Sequence, residues 1–300
     1  MAVAVIGSIN VDLVQNVATL PAPGETVLAR ASTRLPGGKG ANQAVAAARF
    51  GATTSLIAAV GSDEAGRWMR ELLDAEGIDT SAIANLRGQD TGLATIAVDA
   101  QGENQIIVSS GANALLTVQP ASLAAADTKV ILAQQEVPVE AIFAAFTAEV
   151  PAGALRVLNA APAQPGAAHL LDHTDILIVN QHELAEYLGL PQAPADAREA
   201  IVARDLVRFA GQTIIVTLGA GGALAVSAEG SFHCPAVAVT PRDTIGAGDC
   251  FCGVLAALLD KGQPLEQAMA SANAAAALCT QRQGAIPAMP TRAEVEAFLR

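Results

Sequence analysis

The hydrophobic positions of this chain form short apolar runs, separated by longer amphipathic stretches with helical spacing. Strands that alternate with helices are typical of a parallel sheet covered by helices on both faces, so the pattern predicts a three-layer α/β fold with a mostly parallel central sheet. The strand candidates are Val3–Ile6, Ser55–Ala59, Val130–Gln134, Arg156–Asn159, Ile176–Asn180, Thr213–Leu218 and Ala223–Ser227. The helix candidates are Ala41–Phe50, Glu64–Leu73, Asp196–Phe209, Gly248–Leu259, Leu265–Leu278 and Arg292–Leu299.

Polar residues mark several helix ends. Ser62 is expected to cap the helix that begins at Glu64, and Gly77 is expected to end it. Asp196 is the expected cap of the helix candidate that follows it.

Two segments, residues 11–35 and 91–109, depart from the alternation and contain extended stretches. In the second, Thr91–Asp99 and Asn104–Ser109 flank a turn at Ala100–Glu103, which predicts a hairpin. We expect both segments to form a small separate sheet that covers a ligand site, within a single domain of residues 1–300.

Composition narrows the class of partner. The chain has 17 Lys and Arg against 29 Asp and Glu, a formal net charge of −12. Nucleic-acid binders depend on basic residues that neutralise phosphates, so no nucleic-acid partner is expected. With 52% apolar and 15% charged residues, the chain has ample material for a large core.

The pattern of apolar runs and cysteines bears on location. No apolar stretch of eighteen residues is uninterrupted, so no membrane span is expected, and the apolar start before Gly7 is too short for a signal-peptide core. We expect a cytoplasmic protein with reduced thiols, because the cysteines show no CxxC spacing. They are Cys234, Cys250, Cys252 and Cys279.

The segment Asp243–Asp249, sequence DTIGAGD, leads directly into an apolar helix. Small residues before a helix leave its first N–H groups exposed, and these donors together with the helix dipole favour an anion. Asp249 could accept a proton from a hydroxyl while the amides of Ala247 and Gly248 stabilise charge on a transferring phosphoryl group. Taken alone, the segment favours the simpler interpretation, a tight turn followed by a helix-start acid.

A second glycine-rich loop, Gly37–Asn42, has the sequence GGKGAN. Its glycines permit close backbone approach to a ligand, and Asn42 places an amide at a helix start. The loop is not a Walker A motif, because Thr33 stands where that motif needs its first glycine. An ordinary connection with Asn42 as a helix cap is the alternative.

Asn10 and Asp12 follow the first strand and project from one face if the segment is extended. At the end of a strand in an open α/β sheet, such a pair can bind adjacent hydroxyls of a polyol. Two polar loop residues that make local turns are the alternative.

Two later clusters are candidates for nucleotide and metal binding. Asn180 and Glu183 lie one helical turn apart after an apolar strand, which suits them to orient a hydrated metal. The turn Thr217–Gly222 could admit phosphates or be a plain hairpin turn.

Together, these motifs resemble those of the ribokinase-like (PfkB-type) carbohydrate kinases, in the family's order and along essentially the whole chain. The matching segments are Gly7–Asp12, Gly37–Asn42, Gly102–Asn104 with Ser110–Asn113, Gln135–Pro138, Asn180 with Glu183, Thr217–Gly219 and Asp243–Asp249. The resemblance implies a ribokinase-like α/β fold with a β lid and ATP-dependent phosphorylation of D-ribose at its 5-hydroxyl.

The same resemblance implies roles for individual residues. Asp249 would be the general base, and Gly246, Ala247 and Gly248 would form the anion hole. The sugar would contact Asn10, Asp12, Gly38, Lys39, Asn42, Glu136 and Asp249. ATP would contact Asn180, Thr217, Leu218, Gly219, Ala220, Gly221, Gly222, Gly248 and Asn273, with Glu183 helping to organise Mg²⁺.

The resemblance further implies a K⁺ site and a homodimer paired through the lid. The K⁺ site would involve Asp243, Ile245, Cys279, Arg282, Gly284 and Ala288. The sequence departs from the family pattern at Ala288, where a serine is frequent, and at Asn273, where a histidine is familiar. Cys279 and the stretch Gln281–Gln283 also differ from that pattern. None of these departures touches the residues of phosphoryl transfer.

Other functions stay open at this stage. A kinase of the same family could act on 2-deoxyribose, fructose, a nucleoside or pseudouridine. A content of only 3% aromatic residues favours a polyol over a base that needs stacking. A non-catalytic sugar-binding sensor would not need Asp249, and a dinucleotide-dependent oxidoreductase lacks GxGxxG after its first strand.

Overall fold

The computed structural model describes residues 2–119, 123 and 127–300. Its strands are β1 (Ala2–Ile6), β2 (Asn10–Asn16), β3 (Ala31–Gly37), β4 (Thr53–Gly61), β5 (Ile83–Leu86), β6 (Gly92–Val98), β7 (Asn104–Ser109), β8 (Thr128–Gln134), β9 (Leu155–Asn159), β10 (Ile176–Asn180), β11 (Thr213–Thr217), β12 (Ala223–Ser227) and β13 (Ser231–Cys234). Its α-helices are α1 (Lys39–Arg49), α2 (Glu64–Ala75), α3 (Val139–Phe146), α4 (Gln181–Leu188), α5 (Ala247–Asp260), α6 (Leu265–Thr280) and α7 (Arg292–Phe298).

The larger sheet runs in the order β13-β12-β11-β10-β9-β8-β1-β4-β5, and it is parallel from β11 to β5. Only β12 and β13, at one edge, are antiparallel to their neighbours. Alternate residues of β1 face opposite layers, because successive side chains of a strand point to opposite faces. Val3 and Val5 pack in the core with α1, α5 and α6, whereas Ala4 and Ile6 pack in the core with α3. The predicted fold class is confirmed.

The second sheet has four strands in the order β3-β2-β6-β7. Strand β2 pairs in antiparallel fashion with β3 and in parallel fashion with β6, and β6 and β7 form the hairpin expected from residues 91–109. We call these four strands the small sheet. Because β2 begins only four residues after β1 ends, the small sheet is tied directly to the carboxyl edge of the large sheet.

Two expected helix starts differ in the structure. Asp63, not Ser62, caps α2: its Oδ1 accepts from the N–H of Gly66 at 2.7 Å, whereas the Ser62 hydroxyl donates to Asn85. The carboxylate of Asp63 also accepts from the N–H and hydroxyl of Thr91, which the sequence could not reveal. It therefore joins α2 to the start of the small sheet.

The expected helix over residues 196–209 is shorter and tighter than predicted. It is a 3₁₀ segment, Glu199–Leu206, although Asp196 still accepts from the amides of Arg198 and Glu199. The prediction of an α-helix there was wrong, since the apolar spacing of one such turn suits both helix types. None of the helices in residues 2–119, 123 and 127–300 is long and apolar enough to cross a membrane.

Candidate active site

Asp249 lies in the first turn of α5 and is only 7% exposed. Gly246 precedes the helix with φ 76°, and a Cβ there would lie 2.9 Å from Ala285 Cα, so only glycine fits this tight approach. A Cβ at Gly248 would meet nothing within 4 Å. The amides of Gly248 and Asp249 have no acceptor among the described residues. The helix start therefore offers free N–H donors beside a buried carboxylate.

Both oxygens of the Asp249 carboxylate accept from side-chain amides of α1. The Asn42 Nδ2 group donates to Oδ2 at 2.8 Å, and the Gln43 Nε2 group donates to Oδ1 at 2.9 Å. Sequence reasoning singled out Asn42 but missed Gln43. The available signal was a second amide in a helix that otherwise presents alanine and valine to the core.

The glycines of the 37–42 loop serve backbone packing more than ligand approach. Gly38 has φ 90°, and a Cβ there would lie 2.6 Å from the Asn10 nitrogen. A Cβ at Gly40 would lie 2.5 Å from the Gly7 carbonyl carbon and 2.6 Å from the Ser8 nitrogen. The loop therefore packs backbone to backbone on the residues after β1, and it presents Lys39 between these two contacts.

Glu136 anchors the start of α1. Its Oε2 accepts from the N–H of Lys39 at 3.1 Å and from the hydroxyl of Ser8 at 2.5 Å. The negative charges of Asp249, and less strongly of Glu136 and Glu183, raise the pKa of Lys39 against the opposing effect of burial. Lys39 is therefore a protonated side chain whose charge is stabilised by the carboxylates of the site.

Asn10 and Asp12 lie on β2, where that strand leaves the large sheet. Asn10 Oδ1 accepts from Asn113, whose amide also bonds the backbone N–H and C=O of Ile9. Burial, followed by the charges of Glu136 and Asp249, raises the pKa of Asp12 to about 6. Asp12, Glu136 and Asp249 are thus electrostatically coupled. Asn113 orients Asn10, a role that sequence reasoning did not assign to it because the two residues lie 103 positions apart in the chain.

A cavity of about 740 Å³ opens beside Asp249 and Lys39. Of the residues expected on the ATP side, Asn180, Thr217, Gly219, Ala220, Gly222, Gly248 and Asn273 line it, together with Glu183, Gly246 and Ala247. Leu218 and Gly221 line a separate open cavity behind the turn. An apolar wall that sequence reasoning missed consists of Val237, Val239, Phe251, Ala276 and Ala277.

Asn180 and Asn273, two residues expected to contact ATP, also form hydrogen bonds that stabilise the fold. Asn180 caps α4 and forms a reciprocal capping box with Glu183: each side chain accepts from the other residue's N–H, at 2.8 and 2.7 Å. Burial is the largest influence on Glu183 and raises its pKa. The Asn273 amide donates to the carbonyls of Cys234 and Pro235, so it holds the wall segment that follows β13.

The residues expected around a K⁺ ion only partly converge. The Asp243 carboxylate accepts from the amides of Ile245, at 3.0 Å, and Gly284, at 2.8 Å, which joins two loops next to the start of α5. The Arg282 guanidinium instead pairs with Glu294 at 2.5 Å. Cys279 and Ala288 are fully buried. The described residues contain no cluster of three His, Cys, Asp or Glu side chains suited to a metal, so backbone carbonyls would have to supply most ligands.

Comparison with known proteins decides the family. The sequence matches the pfkB family carbohydrate kinases over residues 2–292. The chain belongs to this family. The resemblance inferred from the motifs is confirmed, and so is the expectation of an ATP-dependent carbohydrate kinase.

Individual pfkB family members are similar along their full length. Haemophilus influenzae ribokinase is 36% identical over 299 residues, 98% of this chain and 97% of its own. Salmonella typhi deoxyribokinase is 34% identical over 307 residues, 100% of this chain and 99% of its own. The structure of Arabidopsis thaliana ribokinase complexed with ribose and ATP has a TM-score of 0.86 at 29% identity and covers 100% of this chain and 99% of that one.

Proposed function

We propose that this pfkB family kinase transfers the γ-phosphoryl group of ATP to the 5-hydroxyl of D-ribose, with Asp249 as the general base. The observation that carries the proposal is the position of Asp249. Its carboxylate lies at the start of α5, beside free amides and the 740 Å³ cavity, and is bonded by Asn42 from the opposite side. A base at this junction can reach an acceptor on one side and a phosphoryl donor on the other.

The acceptor side suits a small polyol. Hydrogen-bond donors and acceptors for sugar hydroxyls come from four neighbouring side chains, those of Asn10, Asp12, Lys39 and Glu136. The Oδ1 atom of buried Asn42 has no donor in the described part of the chain, and a sugar hydroxyl would supply one. The Arabidopsis thaliana complex with ribose supports a pentose as the occupant.

The donor side suits a nucleotide. The Thr217–Gly222 turn and the apolar wall enclose a cavity large enough for ATP, with Asn180 and Asn273 at its border. Mg²⁺, when bound, neutralises charge on the transferring phosphates. Glu183 has a carboxylate that lines this cavity and would hold the ion through water, as Mg²⁺ ordinarily retains several waters.

The chemical steps on the protein are few. Asp249 accepts the proton of the 5-hydroxyl as the oxygen attacks the γ-phosphorus. Charge on the phosphoryl oxygens is stabilised by the amides of Gly246 and Gly248, at the positive end of the α5 dipole, and ADP leaves. The third amide expected there, that of Ala247, donates to the Thr244 carbonyl at 3.3 Å and would have to exchange that bond for one to a phosphoryl oxygen. Lys39 adds a positive charge, because the neighbouring carboxylates raise the pKa of its amine and keep it protonated.

The acceptor is tested by ADP release from Mg-ATP with D-ribose, 2-deoxyribose, fructose and adenosine. We expect kcat/KM for ribose to exceed that for each other acceptor by about tenfold or more. The missing hydroxyl of 2-deoxyribose leaves a polar group of the site unpaired, and fructose and adenosine are larger than the pentose. The similarity to a deoxyribokinase makes 2-deoxyribose the principal alternative. A preference for it would overturn the acceptor and leave the kinase assignment intact.

A K⁺ ion beside the anion hole is part of the proposal. Asp243 retains acceptor capacity after its two hydrogen bonds, and Ala288 can contribute only its carbonyl. The acceptor assay is therefore run in K⁺ and in Na⁺ at equal ionic strength. Higher turnover in K⁺ supports the site, and equal rates contradict it.

We further propose that the small sheet is a lid over the sugar within a single domain, and that it pairs two subunits. Strand β7 is one of its two edge strands and exposes Ile106 (54%), Ile107 (71%) and Val108 (55%). A long, apolar, unpaired edge is a surface that proteins normally cover.

We expect Ile107→Glu to convert a dimer into a monomer in sedimentation velocity at micromolar protein, because it places a charge in the apolar contact. Ile201→Glu, at an exposed isoleucine outside the small sheet, is the matched control and should not change the sedimentation coefficient. A monomeric wild type, or a dimeric Ile107→Glu variant, would contradict the proposal.

A further inference from the structure

A chain of buried side-chain amides lies behind Asp249. Gln43 donates from Nε2 to Asp249 Oδ1 and to Asn159 Oδ1, at 2.9 Å each. Gln134 donates from Nε2 to Gln43 Oε1 at 2.6 Å. Asn159 donates in turn to the backbone carbonyl of Ile178 at 3.3 Å. Four side chains from β8, β9, α1 and α5 are therefore linked at the carboxyl edge of the large sheet.

The linked bonds define which end of each amide faces the carboxylate. The Ile178 carbonyl can only accept, so the Asn159 amide turns its NH₂ group to Ile178 and its oxygen to Gln43. Gln134 turns its NH₂ group to the oxygen of Gln43. The NH₂ group of Gln43 is left with two acceptors, Asn159 and Asp249, so the amide donates to the carboxylate.

Solvent does not reach the two glutamines of this chain of amides. Gln43 and Gln134 are fully buried, and Asn159 is 8% exposed. Asp249 and Asn159 border the 740 Å³ cavity, whereas the donor that Gln43 presents to the carboxylate comes from a fully buried side chain. Hydrogen bonds to charged groups are among the strong ones. Gln43 therefore controls the orientation of the carboxylate plane.

We propose that Gln43, held by Gln134 and Asn159, is a positioning residue for the phosphoryl transfer that keeps the Asp249 carboxylate aimed at the acceptor hydroxyl. The inference rests on the proposed role of Asp249 as the base. Gln43 contacts the carboxylate from the side of α1 and does not line the nucleotide cavity. Its substitution should therefore lower kcat and leave the affinity for the substrates nearly unchanged.

A hydrogen bond that donates to a carboxylate favours its charged form, so loss of the Gln43 donor is expected to move the acidic limb of the kcat profile to higher pH. The titratable groups that interact with Asp249 are Asp12 on β2, Lys39, Glu183 on α4, Cys250 and Cys252 on α5, and Cys279 on α6.

The test compares Gln43→Met and Gln43→Glu with wild type at saturating ribose and ATP between pH 5 and 9. For Gln43→Met we expect kcat to fall about 10- to 100-fold, with each KM within about threefold, because one bond to a buried charge is lost. The acidic limb of kcat should move to higher pH. Gln43→Glu should move it further, because two carboxylates then share one site.

Gln212→Met is the matched control. Gln212 is also fully buried, and its amide donates to the carbonyls of Leu171 and Thr174, which do not line the cavity beside Asp249. Its loss should lower thermal stability without moving the acidic limb of kcat. Gln134→Met supplies a second test if Gln43→Met does not fold: it leaves Gln43 in place but frees its orientation, and should lower kcat less than Gln43→Met with the same direction of pH shift.

The outcomes separate the inference from the proposed function. Wild-type kcat and an unmoved acidic limb in the Gln43 variants would overturn the positioning role. An equal shift in Gln212→Met would do the same, because the effect would then be one of general stability. Full activity of Asp249→Asn would instead remove the base on which the inference rests.

Discussion

Asp249→Asn is expected to lower kcat by about 10²- to 10⁴-fold, the ordinary contribution of a general base. The carboxamide has nearly the same shape, but its NH₂ group cannot accept the hydroxyl proton. It would also meet the donor of Asn42 or of Gln43, since both oxygens now accept. Rates of ADP formation at saturating ribose and ATP measure the change, and binding of a nucleotide analogue by calorimetry should be retained within a few-fold.

The same helix provides a control for this variant. Asp260 is also buried, 2% exposed, and stands at the opposite end of α5. Asp260→Asn therefore tests whether loss of any buried carboxylate on α5 reduces turnover. We expect its kcat to stay within about twofold of wild type. Substantial turnover by Asp249→Asn would contradict the role of the base, as would an equal loss in both variants.

Asp12→Asn is expected to raise KM for ribose by about 10²-fold, because a charged acceptor of sugar hydroxyls becomes a neutral amide. The effect should depend on pH. The pKa of Asp12 is raised to about 6, so wild type loses affinity for ribose as pH falls below about 6. The variant has no such group and should show a flat dependence on pH. Steady-state KM measured from pH 5 to 8 tests both statements.

The same carboxylate should destabilise the sugar-free enzyme. Because its folded pKa lies above its unfolded value, the folded state binds more protons than the unfolded state between about pH 4 and 6, and the free energy of unfolding falls as pH rises through that range. Asp12→Asn removes this cost and should raise the free energy of unfolding at pH 8 by about 1–2 kcal/mol. Denaturant unfolding tests this, with Asp172→Asn as the exposed control. A variant less stable than wild type, with unchanged KM, would contradict the assignment.

Much of the site was predictable because its residues lie in contiguous segments. The Asp243–Asp249 and Gly37–Asn42 loops each combine small residues with a helix start, and both deliver their groups to the place where Asp249 meets Asn42. The sequence also placed Asn180 and Glu183 one helical turn apart. In the structure their side chains bond each other's backbone N–H groups as a capping box.

The rest depended on contacts between distant segments. The bond from Asn113 to Asn10 joins residues 103 apart, and the bond from Gln43 to Asp249 joins residues 206 apart. No spacing rule relates such pairs. The roles of Gly38 and Gly40 in backbone packing were hidden for the same reason, since the atoms they approach belong to residues 7–10.

The sequence by itself determined the layers of the fold, the order of the strands along the chain and the segments that carry the chemistry. These follow from local periodicity and from small or polar residues at element ends, which act within a few residues. Only the tertiary structure decided the partners of Asp249, the raised pKa of Asp12 and the wall of the nucleotide cavity. Each of these arises from burial and charge contributed by elements far apart in sequence, and burial exists only once the sheet has assembled its helices around it.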